Sequence, residues 1–175
     1  IKVTSNKIVT ICHIISQYNP NWDEDRTFEE AFEEAVELAQ NILKKMVRKF
    51  NSEFKAYSIV EKSIIKAHDD VVILEQPVPW QKALFEIEER TDLIDYFKFI
   101  IYQSPEGNWM AQAIPSQSNY MQKRVLFPDD WAGKRYNELA KASKIKDAVF
   151  CHSGRFISGW TTLEAAKEAA KPARI

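Results

Sequence analysis

Glycine is scarce in this chain. Four glycines in 175 residues leave no room for a collagen repeat or a Gly-rich linker. Neither G-x-G-x-x-G nor G-x-x-x-x-G-K occurs, which excludes the dinucleotide fingerprint and the phosphate loop. Cysteine is scarcer still. Cys12 and Cys151 lie far apart among apolar neighbours, which fits neither a disulfide scaffold nor a zinc site built on paired thiolates. Both read as small buried hydrophobes in a reducing compartment. No apolar run approaches the ~20 residues of a membrane helix. The start, Ile1-Lys2-Val3-Thr4, has no initiator Met and no signal-peptide pattern, so the expectation is a fragment of a longer protein. G-x-S-x-G, H-E-x-x-H and EF-hand patterns are also missing.

What is present points to a folded module. Aromatics make up 12% of the chain, with five Trp and ten Phe, which rules out a disordered charged tail. The length suits one compact domain, or one domain with an appendage. Charge is uneven: residues 1–114 carry 13 basic and 19 acidic side chains, and residues 115–175 carry 11 and 6. A basic C-terminal third suits an anionic partner, and it equally suits an ordinary lysine-rich surface.

Residues 7–18 are apolar and β-branched and read as a strand or a short buried helix. Thr27 followed by Glu30 is a capping box, and apolar residues then recur every three or four positions from Phe28 to Ile64 without Pro or Gly. This predicts one very long helix, or two broken near Asn51-Ser52, forming an arm that packs on another domain or copy, or folds back on its own domain. The period then changes. A short strand at Val71–Leu74 precedes Pro77-Val78-Pro79, with Pro79 in the first turn of a helix over 80–90. Tyr96–Tyr102 and Trp109–Ile114, around Pro105-Glu106-Gly107-Asn108, predict a hairpin. Asp129 or Asp130 caps a helix through residue 144. Strands at Ala148–Cys151 and Phe156–Ser158 follow, and a last helix starts at Thr161 or Thr162 and ends at Pro172. The expected fold is α+β, a mixed sheet packed with helices behind a long helical N-terminal arm, with residues 1–70 as arm and 71–175 as the α+β domain.

Little of this carries recognisable chemistry. His13 and His68 have no partner at metal-ligand spacing, and His68 suits a helix C-terminus. The acidic groups at 23–25, 69–70, 86–89 and 129–130 lack a neighbouring His and read as caps or solvated faces. No metal ligand or catalytic residue is assigned in the chain. His152 is different, because it ends a strand and opens Ser153-Gly154-Arg155. Small residues there let backbone N–H groups approach a ligand, Arg155 can grip a phosphate, and the helix start at Thr161-Thr162 offers further anion binding. A plain β-turn is the other reading. Cys151 and His152 do not form a thiol nucleophile and base, because adjacent strand residues point to opposite faces.

Several spaced motifs together resemble the C-terminal half of the melanocyte-proliferating-gene (Myg) family, relatives of the DHH-type metal-dependent phosphoesterases. These are Tyr18-Asn19-Pro20-Asn21-Trp22; Pro79-Trp80, Leu84-Phe85 and Glu88; and Phe99-Ile100-Ile101-Tyr102. Trp109, Gln112-Ala113-Ile114-Pro115 and Arg124 come next, then Phe127-Pro128, Trp131, Gly133, Arg135 and Leu139. Phe150, His152, Phe156-Ile157 and Gly159 close the set. The resemblance implies a two-lobed 3′–5′ RNA exonuclease of mitochondrion and nucleus, where residue composition alone would suggest the cytoplasm. Mn or Mg would be held by an N-terminal lobe outside this chain. It implies a substrate grip made of His152, Arg155, Ser158 and Gly159, with Arg124 and Arg135 as further phosphate contacts. The implied partners are RNA or a short oligonucleotide and the metal-binding lobe, with a homo-oligomer through the long helix and no membrane. In two places the chain departs from the family pattern. Lys2, Ser5 and Lys7 replace the family's usual Asp, Asp and Gly, and Arg155 and Ser158 stand where Gly is usual. The alternative is a non-catalytic interaction module that dimerises or docks through the long helix.

Overall fold

A computed structural model describes residues 9–67 and 69–171. Ile1–Ile8, with the Lys2 and Ser5 substitutions, His68 and Pro172 lie outside the described residues. The chain divides into two compact units, Ile1–Ser52 and Glu53–Ile175.

The first unit holds α1 (Ile11–Ser16) and the larger part of α2 (Phe28–Ile65). The apolar segment near the start is therefore a helix, capped by the Thr10 hydroxyl accepting from His13 N–H at 3.2 Å. It is short but not buried, and Cys12 within it is exposed. The capping box forms as the sequence predicts. Thr27 N–H donates to Glu30 at 2.9 Å and Glu30 N–H donates to the Thr27 hydroxyl at 3.2 Å. Hydrogen bonds donated by Thr27 N–H and by the Thr27 hydroxyl hold the Glu30 carboxyl below its ordinary pKa. Asn51-Ser52 does not interrupt α2, which runs unbroken for 38 residues, roughly 57 Å at 1.5 Å per residue.

The second unit is built on a five-stranded mixed sheet in the order β1-β2-β3-β5-β4, bearing out the α+β expectation. Its strands are β1 (Val71–Ile73), β2 (Phe99–Gln103), β3 (Trp109–Ala113), β4 (Ala148–Cys151) and β5 (Ile157–Trp160). β1 runs parallel to β2, joined through α3 (Gln81–Thr91), and the remaining pairs are antiparallel. Pro79 sits one residue before the Trp80 cap of α3, slightly outside the helix.

Period-two alternation along β2 explains why the sheet is covered on both sides. Phe99 and Ile101 face one cluster with Ala111, Ala113 and Trp160. That cluster is roofed by Trp131, Leu139 of α4 (Tyr136–Ser143) and the alanines of α5 (Leu163–Ala169). Ile100 and Val72 face the opposite cluster, under Leu84 and Ile87 of α3 and Val60 from the last turns of α2. Aromatic contacts tie the first cluster together, from Phe99 to Phe127 (5.0 Å) to Trp131 (5.7 Å) to Trp160 (5.8 Å).

The helix expected from Asp129 or Asp130 to residue 144 is broken. A 3₁₀ turn spans Asp129–Trp131, Gly133 then takes φ +70°, and α4 starts only at Tyr136. A left-handed backbone at Gly133 cannot continue a right-handed helix. α5 begins where the sequence places it, with the Thr162 hydroxyl accepting from Ala165 N–H.

Candidate functional site at the turn between β4 and β5

β4 and β5 are joined by a tight reversal. Arg155 N–H donates to His152 C=O at 2.8 Å, and His152 N–H donates to Ile157 C=O at 2.9 Å. Closing the turn puts Arg155 at φ +56°, the left-handed region that glycine adopts without cost. A non-glycine residue there gives up about 1 kcal/mol. The guanidinium offsets this with new partners. Its Nη1 donates to Phe127 C=O at 2.9 Å and pairs with Asp129 at 2.5 Å, while Arg155 C=O accepts from Phe127 N–H at 2.9 Å. Nε and Nη2 make no hydrogen bond among the described residues.

His152 is exposed. Its Nδ1 accepts from Gly154 N–H at 2.9 Å, which places the proton of the neutral ring on Nε2. The imidazole lies 4.6 Å from the Phe156 ring, and Lys123 Nζ lies 5.9 Å from the same ring. A half-buried aromatic is thus flanked by an imidazole and a lysine, with Arg155 one residue away. The backbone of Lys134 and Arg135 lies along the outer side of β4. Cys151 N–H donates to Lys134 C=O at 2.9 Å and Arg135 bridges Phe150, so the exposed Arg135 is carried to the β4 edge.

The other expected grip residues lie elsewhere. Ser158 is fully buried, its hydroxyl accepting from Trp160 Nε1 at 2.8 Å. Gly159 is buried under the Phe150 ring, where a Cβ would sit 2.7 Å from a ring carbon. Both positions serve sheet packing. The Thr161-Thr162 helix start lies at the far end of β5, seven residues from Arg155 and so out of reach of the turn.

Arg124 is on the opposite side of the sheet, against α3. Its side chain is 2% exposed and Glu88 is fully buried. Nη1 and Nη2 donate to the two Glu88 carboxylate oxygens at 2.6 and 2.7 Å, Nη1 also to Phe97 C=O, and Nε to Pro115 C=O. Asp95 lies 2.9 Å from Nε, and Gln117 donates to Glu88 at 2.9 Å. This guanidinium is spent inside the fold. The sequence held the signal for its partner, because Glu88 falls four residues after Leu84 on the apolar face of α3. Lys123 and Phe156, which sequence reasoning did not pair, are brought together only by the loop path.

Cys151 is buried, and desolvation pushes its thiol up to about 11 despite the neighbouring Arg155. It is a core residue with its thiol protonated at neutral pH. Among the described residues no group of three or more His, Cys, Asp or Glu side chains could hold a metal ion. No helix there is long and apolar enough to cross a membrane.

The fold and this turn together define an α+β module that presents cations around a half-buried ring. A family model named MYG1_exonuc and described as "Uncharacterised protein family (UPF0160)" matches residues 1–173, and the chain belongs to that family. It is 28% identical to a MYG1 protein of Saccharomyces cerevisiae over 172 residues, covering 93% of this chain and 51% of the yeast protein. It is 28% identical to the MYG1 exonuclease of Rattus norvegicus over 170 residues, covering 93% of this chain and 45% of the rat protein. A MYG1 protein of Dictyostelium discoideum is 32% identical over 114 residues, 62% of this chain and 35% of that protein. The chain spans about half the length of the yeast and rat relatives. No solved structure matches.

Two predictions arise from these placements. Arg124→Ala leaves the Glu88 carboxylate buried and unpaired, so urea denaturation is expected to show a loss of about 3–5 kcal/mol. An Arg124→Met/Glu88→Leu pair is expected to recover most of that loss. For Cys151, the unfolded thiol ionises near the ordinary 9.0 and the folded thiol near 11. Between those values the native state holds the extra proton, so this contribution is intact below pH 9 and lost as pH rises to 11. Melting curves of wild type and Cys151→Ala across that window are expected to converge as pH increases.

Proposed function

We propose that this chain is the substrate-holding half of a MYG1-type phosphodiesterase that degrades RNA from the 3′ end, with the catalytic metal ions held by another part of a longer protein. The observation that carries this reading is the turn itself, where the Phe156 ring lies 4.6 Å from the His152 ring and 5.9 Å from Lys123 Nζ, one residue after Arg155. An aromatic face bordered by cations is the chemistry that holds a single strand, with the base stacking on the ring and the phosphates meeting N–H donors. Arg135 at the β4 edge extends the cationic surface. Family membership and the exonuclease name carried by the rat relative support the same reading.

Within that reading the residues divide the work. Arg155, fixed by Phe127 and Asp129, orients one phosphate. Lys123, whose ammonium donates to Tyr120 C=O at 3.0 Å, adds a second charge, and Nε2–H of His152 donates to a second oxygen. Cleavage requires divalent metal, for which the described residues supply no ligand set, so no step of the reaction is assigned to this chain. Mitochondrial or nuclear placement belongs to the same proposal.

Fluorescence anisotropy with a short single-stranded RNA tests it. Three cationic contacts predict that log K falls against log salt with a slope of about −2, at roughly −0.7 per phosphate on a single strand. Lys123→Ala is expected to reduce that slope by about 0.7. Phe156→Ala is expected to weaken binding by about 1–3 kcal/mol, as loss of a stacking platform does. Binding untouched by both changes, or Mn-dependent hydrolysis by this chain alone, would overturn the assignment.

A further inference from the structure

The first unit leaves a row of large apolar side chains in solvent. Phe32 (68% exposed), Leu43 (61%), Met46 (62%) and Phe50 (68%) stand out along α2, with Val47 (51%) at their flank. They are not scattered. With Val36 and Ala39 they fall at 32, 36, 39, 43, 46 and 50, steps of four and three that keep one seam over more than two heptads. The residue that α2 buries in this unit, Ala31, lies outside that seam.

The seam reads the same in both directions. Reversed about Asn41, Phe32 falls opposite Phe50, Val36 opposite Met46, and Ala39 opposite Leu43. Each layer then joins an a position to a d position, as antiparallel coiled coils do, and the central layer sets a small side chain against a large one. In sequence, the symmetry continues one step outward with Phe28 and Phe54.

Three charged positions obey the same reversal with opposite sign: Glu33 falls opposite Lys49, Glu34 opposite Arg48 and Glu37 opposite Lys45. Glu29, Glu30, Glu33, Glu34 and Glu37 occupy the first turns with no Lys or Arg among them, and Lys44, Lys45, Arg48 and Lys49 follow with no carboxylate among them. Glu34 already pairs with Arg26 at 2.6 Å and Lys49 is also engaged within the chain, so the complementarity lies in the sign of each segment. A parallel pair would stack acid on acid and base on base. An antiparallel pair sets each acidic segment beside the basic segment of its partner.

We infer that two copies of this chain associate through α2 as an antiparallel helix pair with its two-fold axis at Asn41. The interface is isologous, with one patch serving both copies. A standard interface buries ~800 Å² per partner. The inference is independent of the RNA-binding reading, since no residue of the β4–β5 turn enters it.

Multi-angle light scattering and paired spin labels test it on the full 175-residue chain, at about 100 µM, above the micromolar upper bound for interfaces of this size. Twice the chain mass is expected for wild type, and the single mass for Leu43→Glu with unchanged helical circular dichroism. Leu43 is exposed, so that variant keeps its fold. With Cys12→Ser as background, labels at Asn41→Cys are expected to lie close together. Labels at Ser52→Cys are expected about 33 Å apart along the axis. Three outcomes would each overturn the inference: a single-chain mass for wild type, which would leave the seam to a different partner; a dimer that survives Leu43→Glu; or short distances at both label positions, the mark of a parallel pair.

Discussion

The buried pair of Glu88 and Arg124 fixes the strap from Ile114 to Phe127, and the geometry of the turn follows from that strap. Arg124 enters the fold with its main chain bonded to Ile114 and its guanidinium locked on Glu88, Phe97 and Pro115. The residue before it, Lys123, bridges Pro115 and reaches the Phe156 ring. Phe127, three residues after it, exchanges two hydrogen bonds with Arg155. Removing a charge from water costs several kcal/mol, and the pair is tolerated because every Glu88 oxygen and both Arg124 Nη atoms find partners. An interaction on one side of the sheet thereby sets the positions of groups presented beside the other.

Much of the fold was legible in the sequence because it was written in local terms. The Thr27–Glu30 box, the alternation of Phe99, Ile100 and Ile101, and the Thr162 cap each depend on neighbours within a few positions. The helix expected over 129–144 failed for a local reason too, since the left-handed Gly133 outweighs the flanking helical pattern. What could not be read was which cations remain outside. Arg124 and Arg155 both look like phosphate ligands in sequence, yet one lies at the centre of a carboxylate network and the other on a turn. Lys123 differs from Arg124 by one position along an irregular strap, and only the path of that strap separates their roles. Cys12 was expected inside and is exposed, because α1 is too short to bury a face.

The turn illustrates how an unfavourable backbone persists. Arg155 holds φ +56°, a backbone that glycine adopts without cost. Arginine at that position exchanges backbone ease for a side chain that clamps Phe127 and Asp129. The clamp reduces freedom in the segment that carries Phe156, so any ligand stacked there meets a ring already held in place.

The margins of the sheet have a consequence of their own. β1 offers only three residues at one boundary, and at the other the Lys134–Arg135 backbone already occupies part of the outer ladder of β4. Neither boundary presents a long row of vacant N–H and C=O groups to a foreign strand, so the domain resists edge-to-edge polymerisation into fibres by geometry alone.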